Sequence, residues 1–343
     1  MTPYADLPER CFWKSGVARA DPLTVSGLYD AKFRLTETDR IATAGSCFTQ
    51  YLAAPLRSRG YRVLDVEPPP PWLNEDTLRA HGFGIYSARY GNIYTARQLL
   101  QLAREALDGF TPADPVWQRK KRFFDAQRPG VDPTGMDSAE EVMFVRAAHL
   151  DRVRELFRRM TVFVFTLGLT EAWMYADATT VFPTAPGTVA GQWNPARYRF
   201  HNFRTAEVAH DLRAFRALVQ QVNPHFRMIL SVSPVGLAAT ALDAHVLSAT
   251  TRSKAVLRAA ADEVESGDEG VDYFPSYELI ATPFSGAMFY KPGLREVTPE
   301  GVAAAMRMFF DQHPALVRPD EQEVAENPRD PVCEEQLLEA FGP

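Results

Sequence analysis

The segment Ile41-Ala42-Thr43-Ala44-Gly45-Ser46-Cys47-Phe48 carries the clearest chemical signal in the chain. A short apolar run ends in a small-residue turn that presents a hydroxyl and a thiol side by side. Thr49 to Arg59 reads as a helix after it. The first N–H groups of a helix lack internal partners and, with the helix dipole, favour negative charge. That setting suits a nucleophile whose attack creates an oxyanion. Ser46 is therefore a candidate nucleophile, or simply the cap of the helix after Gly45. Cys47 is the alternative, because a helix start lowers a thiol's pKa; its other reading is a small buried hydrophobe. The same turn would also suit a bound anion such as phosphate or a sugar nucleotide.

Other segments supply partners for such chemistry. Thr166-Leu167-Gly168-Leu169-Thr170-Glu171-Ala172-Trp173 follows the most apolar run; Gly168 permits close backbone approach. Thr170 and Glu171 beside Trp173 suit an oxyanion donor and a substrate wall, or else another helix cap. In Tyr90-Gly91-Asn92-Ile93-Tyr94 the Asn92 amide can donate to an oxyanion, or Asn92 is a turn residue. Ser233-Pro234-Val235 reads as a strand stop, and Asp272 to Tyr277 as pocket lining or core. The seven histidines are scattered, and none stands in a pattern that marks a base.

The elements that must position these groups follow from periodicity. Arg40–Ala44, Tyr61–Val66, Thr161–Leu167, Phe226–Val232 and Val271–Phe274 read as five strands. Between them lie helices opened by the capping boxes Thr95-x-x-Gln98 and Ser138-x-x-Glu141, two more over Ala206–Val222 and Ser248–Val264, and a last one begun by Thr298-Pro299. Such alternation predicts an α/β three-layer sandwich with a mainly parallel sheet and a site at the strands' carboxyl ends. Phe110–Asp137 and Asp177–Phe203, rich in aromatics, Pro and Gly, read as lid-like insertions. The chain divides into an N-terminal extension (1–35), the α/β domain (36–315, insertions near 110–137 and 177–203) and a C-terminal tail (316–343), acidic and peripheral from Asp320 onward.

Composition narrows the function. The 37 Lys and Arg against 43 Asp and Glu give a net charge of −6, which argues against nucleic acid as a partner. No window approaches the roughly 20 apolar residues of a membrane span, and the first residues carry charges unlike a secretory signal. Three widely separated cysteines exclude a disulfide framework or zinc site as the organising feature. A cytoplasmic location is expected, with no cofactor and no metal.

In order, Gly45-Ser46-Cys47-Phe48-Thr49, Tyr90–Thr95, Thr166–Trp173, Ser233–Val235, Ser253-Lys254 and Tyr273–Glu278 resemble the GSCFA family, with Thr49 where its name motif ends in Ala. The resemblance spans about Ile41 to Phe310. It implies kinship with SGNH/GDSL-like hydrolases, a flavodoxin-like fold of roughly five strands, and ester hydrolysis or acyl transfer on an acylated small molecule or carbohydrate. Carried over, Ser46 matches the nucleophile; Asn92 with Gly91, and Gly168 to Glu171, fall near the oxyanion blocks. Such proteins close with Asp-x-x-His, whereas here Gly293 and Glu296 stand at those positions. Glu296, or a histidine such as His201, is then the expected base. The alternative is a binding or scaffold protein that keeps the pocket without turnover.

Overall fold

The computed structural model describes residues 2–316 and 334–342. The chain runs through β1 (Arg40–Gly45), α1 (Ala53–Ser58), β2 (Arg62–Val63), α2 (Glu75–Ala80), α3 (Ala96–Leu107), β3 (Val116–Arg119) and β4 (Arg122–Asp125). It continues through α4 (Ala139–Arg159), β5 (Val162–Leu167), β6 (Glu171–Tyr175), β7 (Val181–Phe182), β8 (Tyr198–Asn202), α5 (Thr205–Gln220) and β9 (Arg227–Val232). Then come α6 (Val246–Ser266), β10 (Val271–Tyr273), α7 (Ser276–Ala281) and α8 (Pro299–Gln312), and a 3₁₀ segment Glu334–Phe341 closes the described chain.

The central sheet has the order β10-β9-β5-β1-β2, every pair parallel. Strand β5 explains the layering. Its Phe163 and Phe165 face a core shared with α3, α4, α5 and α6, while Val162 and Val164 face a second core with Phe289, Val302 and Phe309. A period-two strand buried on both faces needs helices on both sides. The N-terminal segment joins the second core through Tyr29, whose hydroxyl donates to Asp272 (2.7 Å) and lies 3.1 Å from His313 Nε2.

The single flavodoxin-like sheet with lid-like insertions is corrected. The strands divide into three sheets in a mixed parallel and antiparallel system: β3 pairs with β4 as a hairpin, and β6 is the middle strand of an antiparallel β7-β6-β8 sheet. The two expected lids are these sheets, packed on each other through Trp117, Phe124, Phe182 and Tyr198. Their aromatics are a core, because alternating residues on both hairpins converge on one apolar face. Glu171 opens strand β6, so the alternative of a helix cap at Thr170-Glu171 also falls. The second expected strand shortens to Arg62–Val63, an edge pair on β1.

The helix after Ser46 is also different. Cys47–Tyr51 is a 3₁₀ turn and the α-helix starts only at Ala53. Pro55 sits in that helix's first turn, where its missing N–H is no loss, and it cannot extend the α-helical bonds backward. The Ser46 side chain makes no capping bond, so neither the cap nor a full helix dipole describes this turn. The expected acidic tail from Asp320 to residue 333 lies outside the described residues.

Candidate functional site

At the carboxyl ends of β1 and β5, three backbone turns are bound together. Ser46 N–H donates to the Thr166 carbonyl (3.1 Å), Ile93 N–H to that of Gly45 (2.9 Å), and Gly168 N–H to that of Tyr94 (2.9 Å). Gly45 is required here: its φ is +139°, and an added Cβ would stand 2.6 Å from the Thr166 carbonyl oxygen. A Cβ on Gly168 would come within 3.0 Å of Ser46 Cβ and 3.1 Å of the Tyr94 carbonyl. Gly91 adopts φ +69°, which lets the turn present Asn92. The sequence-predicted Ser46, Gly91, Asn92 and Gly168 are thus neighbours.

Asn92 is held in one orientation. Its Oδ1 accepts from Gln50 Nε2 (3.1 Å) and from the Tyr86 hydroxyl (2.5 Å), which turns the Nδ2 end away from them. That amide donates to the carboxylate of Glu334, which also accepts from the Tyr94 hydroxyl at 2.9 Å. The next residue, Glu335, lies 3.4 Å from Arg295 Nη2. The 3₁₀ segment at the C-terminus therefore lays the Glu334 carboxylate on the turns and sets that of Glu335 beside Arg295, and it is not peripheral.

Beneath them Lys254, from α6, is buried at 2% exposure, with Nζ donating to the Gly168 carbonyl at 2.6 Å. Burial drives its pKa down to about 8, Glu335 and Cys47 nearby oppose that fall, and Arg295 adds to it. The hydroxyls of Ser46, Thr49 and Thr166 are buried without a hydrogen-bond partner among the described residues. Each such orphan costs roughly 1–3 kcal/mol, and three at one strand end mark a place where a polar guest would be welcome.

Beside the turns opens a cavity of about 170 Å³ lined by Leu169, Glu171, Trp173, Phe200, Leu237 and Leu338, among others. Trp173 contacts Trp193 and Phe200 edge-on, at 4.8 and 5.6 Å between ring centroids. Glu171 accepts from the Thr240 hydroxyl (2.7 Å) and Ala241 N–H (3.2 Å), which pins the loop after β9 over the cavity. Thr170 is tied away: its N–H donates to Ser253 Oγ (3.0 Å) and its hydroxyl to Asn202 (2.7 Å).

The expected base is not in place. Glu296 pairs with Lys291 at 2.9 Å and accepts from Gln336 Nε2 at 3.1 Å, and it is about 41% exposed. His201 pairs with Glu207 at 2.9 Å, His149 with Glu67 at 2.8 Å, and His313 accepts from Leu35 N–H. Among the described residues no imidazole bonds Ser46 and no Ser-His-Asp triad forms. The Asp272–Tyr277 stretch resolves as core: Phe274 is buried and Tyr273 donates to Glu278.

Sequence reasoning gave no site role to Lys254, Tyr86, Gln50, Tyr94, Arg295, Glu334 or Glu335. For Lys254 a signal existed: it shares the apolar face of α6 with Leu257 and Ala261, an unusual place for a charge. The others come from remote parts of the chain and become neighbours only in the fold.

Fold and site define an α/β sandwich with a polar hollow at the carboxyl ends of its parallel strands, covered by the chain's own C-terminal segment. The chain belongs to the GSCFA family, whose sequence profile matches residues 40–309. No curated protein matches the chain. Nothing in the family match ties it to SGNH/GDSL hydrolases, so that kinship is withdrawn. With it go the serine esterase or acyltransferase reading and its alternative of an SGNH-like pseudoenzyme. The physical reason is local: the serine hydroxyl is buried and hydrogen-bonds no imidazole or carboxylate among the described residues.

Proposed function

We propose that this protein binds a small organic molecule through a carboxylate group, seated between Asn92, Tyr94, Gly168 and Lys254. One observation carries the reading: the Glu334 carboxylate rests on the Asn92 amide and the Tyr94 hydroxyl, with Glu335 beside Arg295. A side-chain carboxylate of the protein there stands in for that of a ligand. Donors already fixed in place lose little freedom on binding, and a buried ammonium strengthens attraction in a low local dielectric. Ser46, whose buried hydroxyl is unpartnered, supplies a further donor, while Gly91 and Gly168 keep the backbone close. Glu171 and Trp173 wall the adjoining cavity, Thr170 braces that wall, and the buried Cys47 lies close enough to Lys254 to act on its charge. No helix among the described residues is long and apolar enough to cross a membrane. We place the protein in the cytoplasm, because the thiol of Cys11 is free and exposed, a state that a reducing compartment preserves.

The test uses the full chain carrying Glu334→Ala and Glu335→Ala, which removes the resident carboxylates. Calorimetry should then detect glutarate but not glutaramide, and adding Lys254→Met should abolish the heat. A double variant that is folded yet takes up no glutarate at millimolar concentration would overturn the assignment.

A further inference from the structure

We propose that the ligand has two parts, a carboxylate and a single apolar group about the size of a benzene ring, and that the C-terminal segment is its built-in competitor. This rests on the carboxylate reading of the same site and adds the identity of the ligand's other half. The polar turns and the cavity are continuous. Glu334 and Glu335, which lie on Asn92, Tyr94 and Arg295, also line the cavity beside Leu169 and Leu237. Tyr94 belongs to the same apolar cluster as Leu169 and Leu237, so one residue offers its hydroxyl to the carboxylate and its ring to the apolar side.

Size and lining specify the group. With the C-terminal segment in place the cavity is about 170 Å³, a size on the scale of apolar cavities of about 150 Å³ that admit benzene. Its apolar walls are Trp173, Phe200, Leu169 and Leu237, with Glu171 and Thr240 at one side and Leu338 of the segment closing it. Aromatic edges on one side and branched aliphatics on the other favour a flat or branched apolar body over an extended polar one. Trp173 and Phe200 face each other across β6 and β8 in register, which holds that wall rigid.

The C-terminal segment reproduces the same two-part pattern in the protein's own residues. Leu338, four residues after Glu334, lines the cavity while the glutamate occupies the turns. Its other anchors are shallow: Arg295 lies 3.8 Å from Glu339, and Gln336 reaches Glu296 at the half-exposed rim. Leu337 and Phe341 remain exposed at 47% and 71%. The contacts that the segment makes at the site among the described residues, the carboxylate on Asn92 and Tyr94 and the side chain of Leu338, are ones that a ligand satisfying both halves at once replaces. Binding then exchanges one carboxylate for another and fills the cavity with a better-fitting apolar group. No bond is made or broken.

The experiment compares 3-phenylpropanoate, propanoate and 3-phenylpropanamide by calorimetry on the full-length Glu334→Ala/Glu335→Ala protein. The expected order is 3-phenylpropanoate at least tenfold tighter than propanoate, with the amide silent. Filling the cavity with Ala239→Phe should bring 3-phenylpropanoate down to the level of propanoate. In the wild-type chain 3-phenylpropanoate should bind more weakly than in the double variant, and Leu338→Ala should recover part of the difference. Equal affinities for the two carboxylates, or tight 3-phenylpropanoate binding untouched by Ala239→Phe, would overturn the two-part ligand while glutarate binding still upheld the carboxylate site. Wild-type affinity equal to that of the double variant would overturn the competitor role. Failure of glutarate itself removes the underlying reading and this one with it.

Discussion

Replacing Lys254 by Met should make the protein more stable at neutral pH while emptying it of function. The side chain is almost fully buried, and its ammonium has one hydrogen bond, to the Gly168 carbonyl. A pKa held near 8 against an ordinary 10.5 means that keeping the amine charged in the fold costs about 3 kcal/mol. Methionine matches the length of the side chain and carries no charge. It leaves the Gly168 carbonyl unpaired, a loss of about 1–2 kcal/mol. The balance at pH 7 is a gain of roughly 1–2 kcal/mol for the variant. Because the folded-state pKa lies below the unfolded one, the unfolded chain binds more protons between about pH 8 and 10.5. Wild-type stability therefore rises across that window, and the variant lacks this rise. Urea denaturation at a series of pH values should show the two stability curves crossing, with wild type ahead above pH 10. A variant already less stable at pH 7, with the wild-type slope intact up to pH 10.5, would show that Lys254 is an ordinary structural cation and refute the reasoning.

Two other perturbations probe the surrounding frame. Gly45→Ala forces a Cβ to 2.6 Å from the Thr166 carbonyl at φ +139°, and should cost about 3 kcal/mol or more in chemical denaturation, separating β1 from β5; a loss under about 1 kcal/mol would mean that the turn is looser than described. His149 is held neutral down to about pH 4, chiefly by burial and then by Arg128, with Glu67 opposing. The unfolded chain therefore binds the extra proton between about pH 6.5 and 4, and wild-type stability should fall by about 3 kcal/mol as pH drops through that range; His149→Gln should lack this slope, and parallel acid-denaturation curves would contradict the assignment.

The sequence reveals the frame better than it reveals the site. Capping at Thr95 and Ser138 is legible because it is local, and both side chains accept the predicted N–H bonds. The apolar run at β5 is legible because continuous burial needs continuous apolarity. The inserts are misread because a hairpin and a lid share the same Gly, Pro and aromatic content; only the long-range packing of Trp117 on Phe182 separates them. The helix after Ser46 is misread because Pro55 sets its starting point while the apolar spacing of Phe48, Leu52 and Leu56 runs on unchanged. Ser46, Gly91, Asn92 and Gly168 lie together at the strand ends, and backbone-permissive and polar residues at strand ends are visible in one dimension. Their role is not, because it depends on which residues from α6 and the C-terminal segment arrive beside them.

What separates this site from ordinary structural polarity is how its charge is paired. On the opposite side of Asn92, a second buried cluster holds more charge: Asp125 accepts from both Arg128 (2.8 Å) and Arg146 (2.9 Å), and Arg146 also reaches Glu105. There each carboxylate has a cationic partner, Arg146 is held firmly in its charged form, and the network ties β4 to α3 and α4. Removing one member would leave a buried charge uncompensated, although Arg128 Nη2 and Gln127 Nε2 there have no hydrogen-bond partner among the described residues. At the carboxyl ends of β1 and β5 the buried ammonium of Lys254 instead bonds a backbone carbonyl rather than a carboxylate. Among the described residues the hydroxyls of Ser46, Thr49 and Thr166 lack partners, and the carboxylates that reach Asn92, Tyr94 and Arg295 are carried by the C-terminal 3₁₀ segment. A fold tolerates such unsatisfied polarity where something other than folding selects for it. The carboxylates of Glu334 and Glu335 mark what that something must offer: two oxygens and a negative charge, presented next to an apolar group.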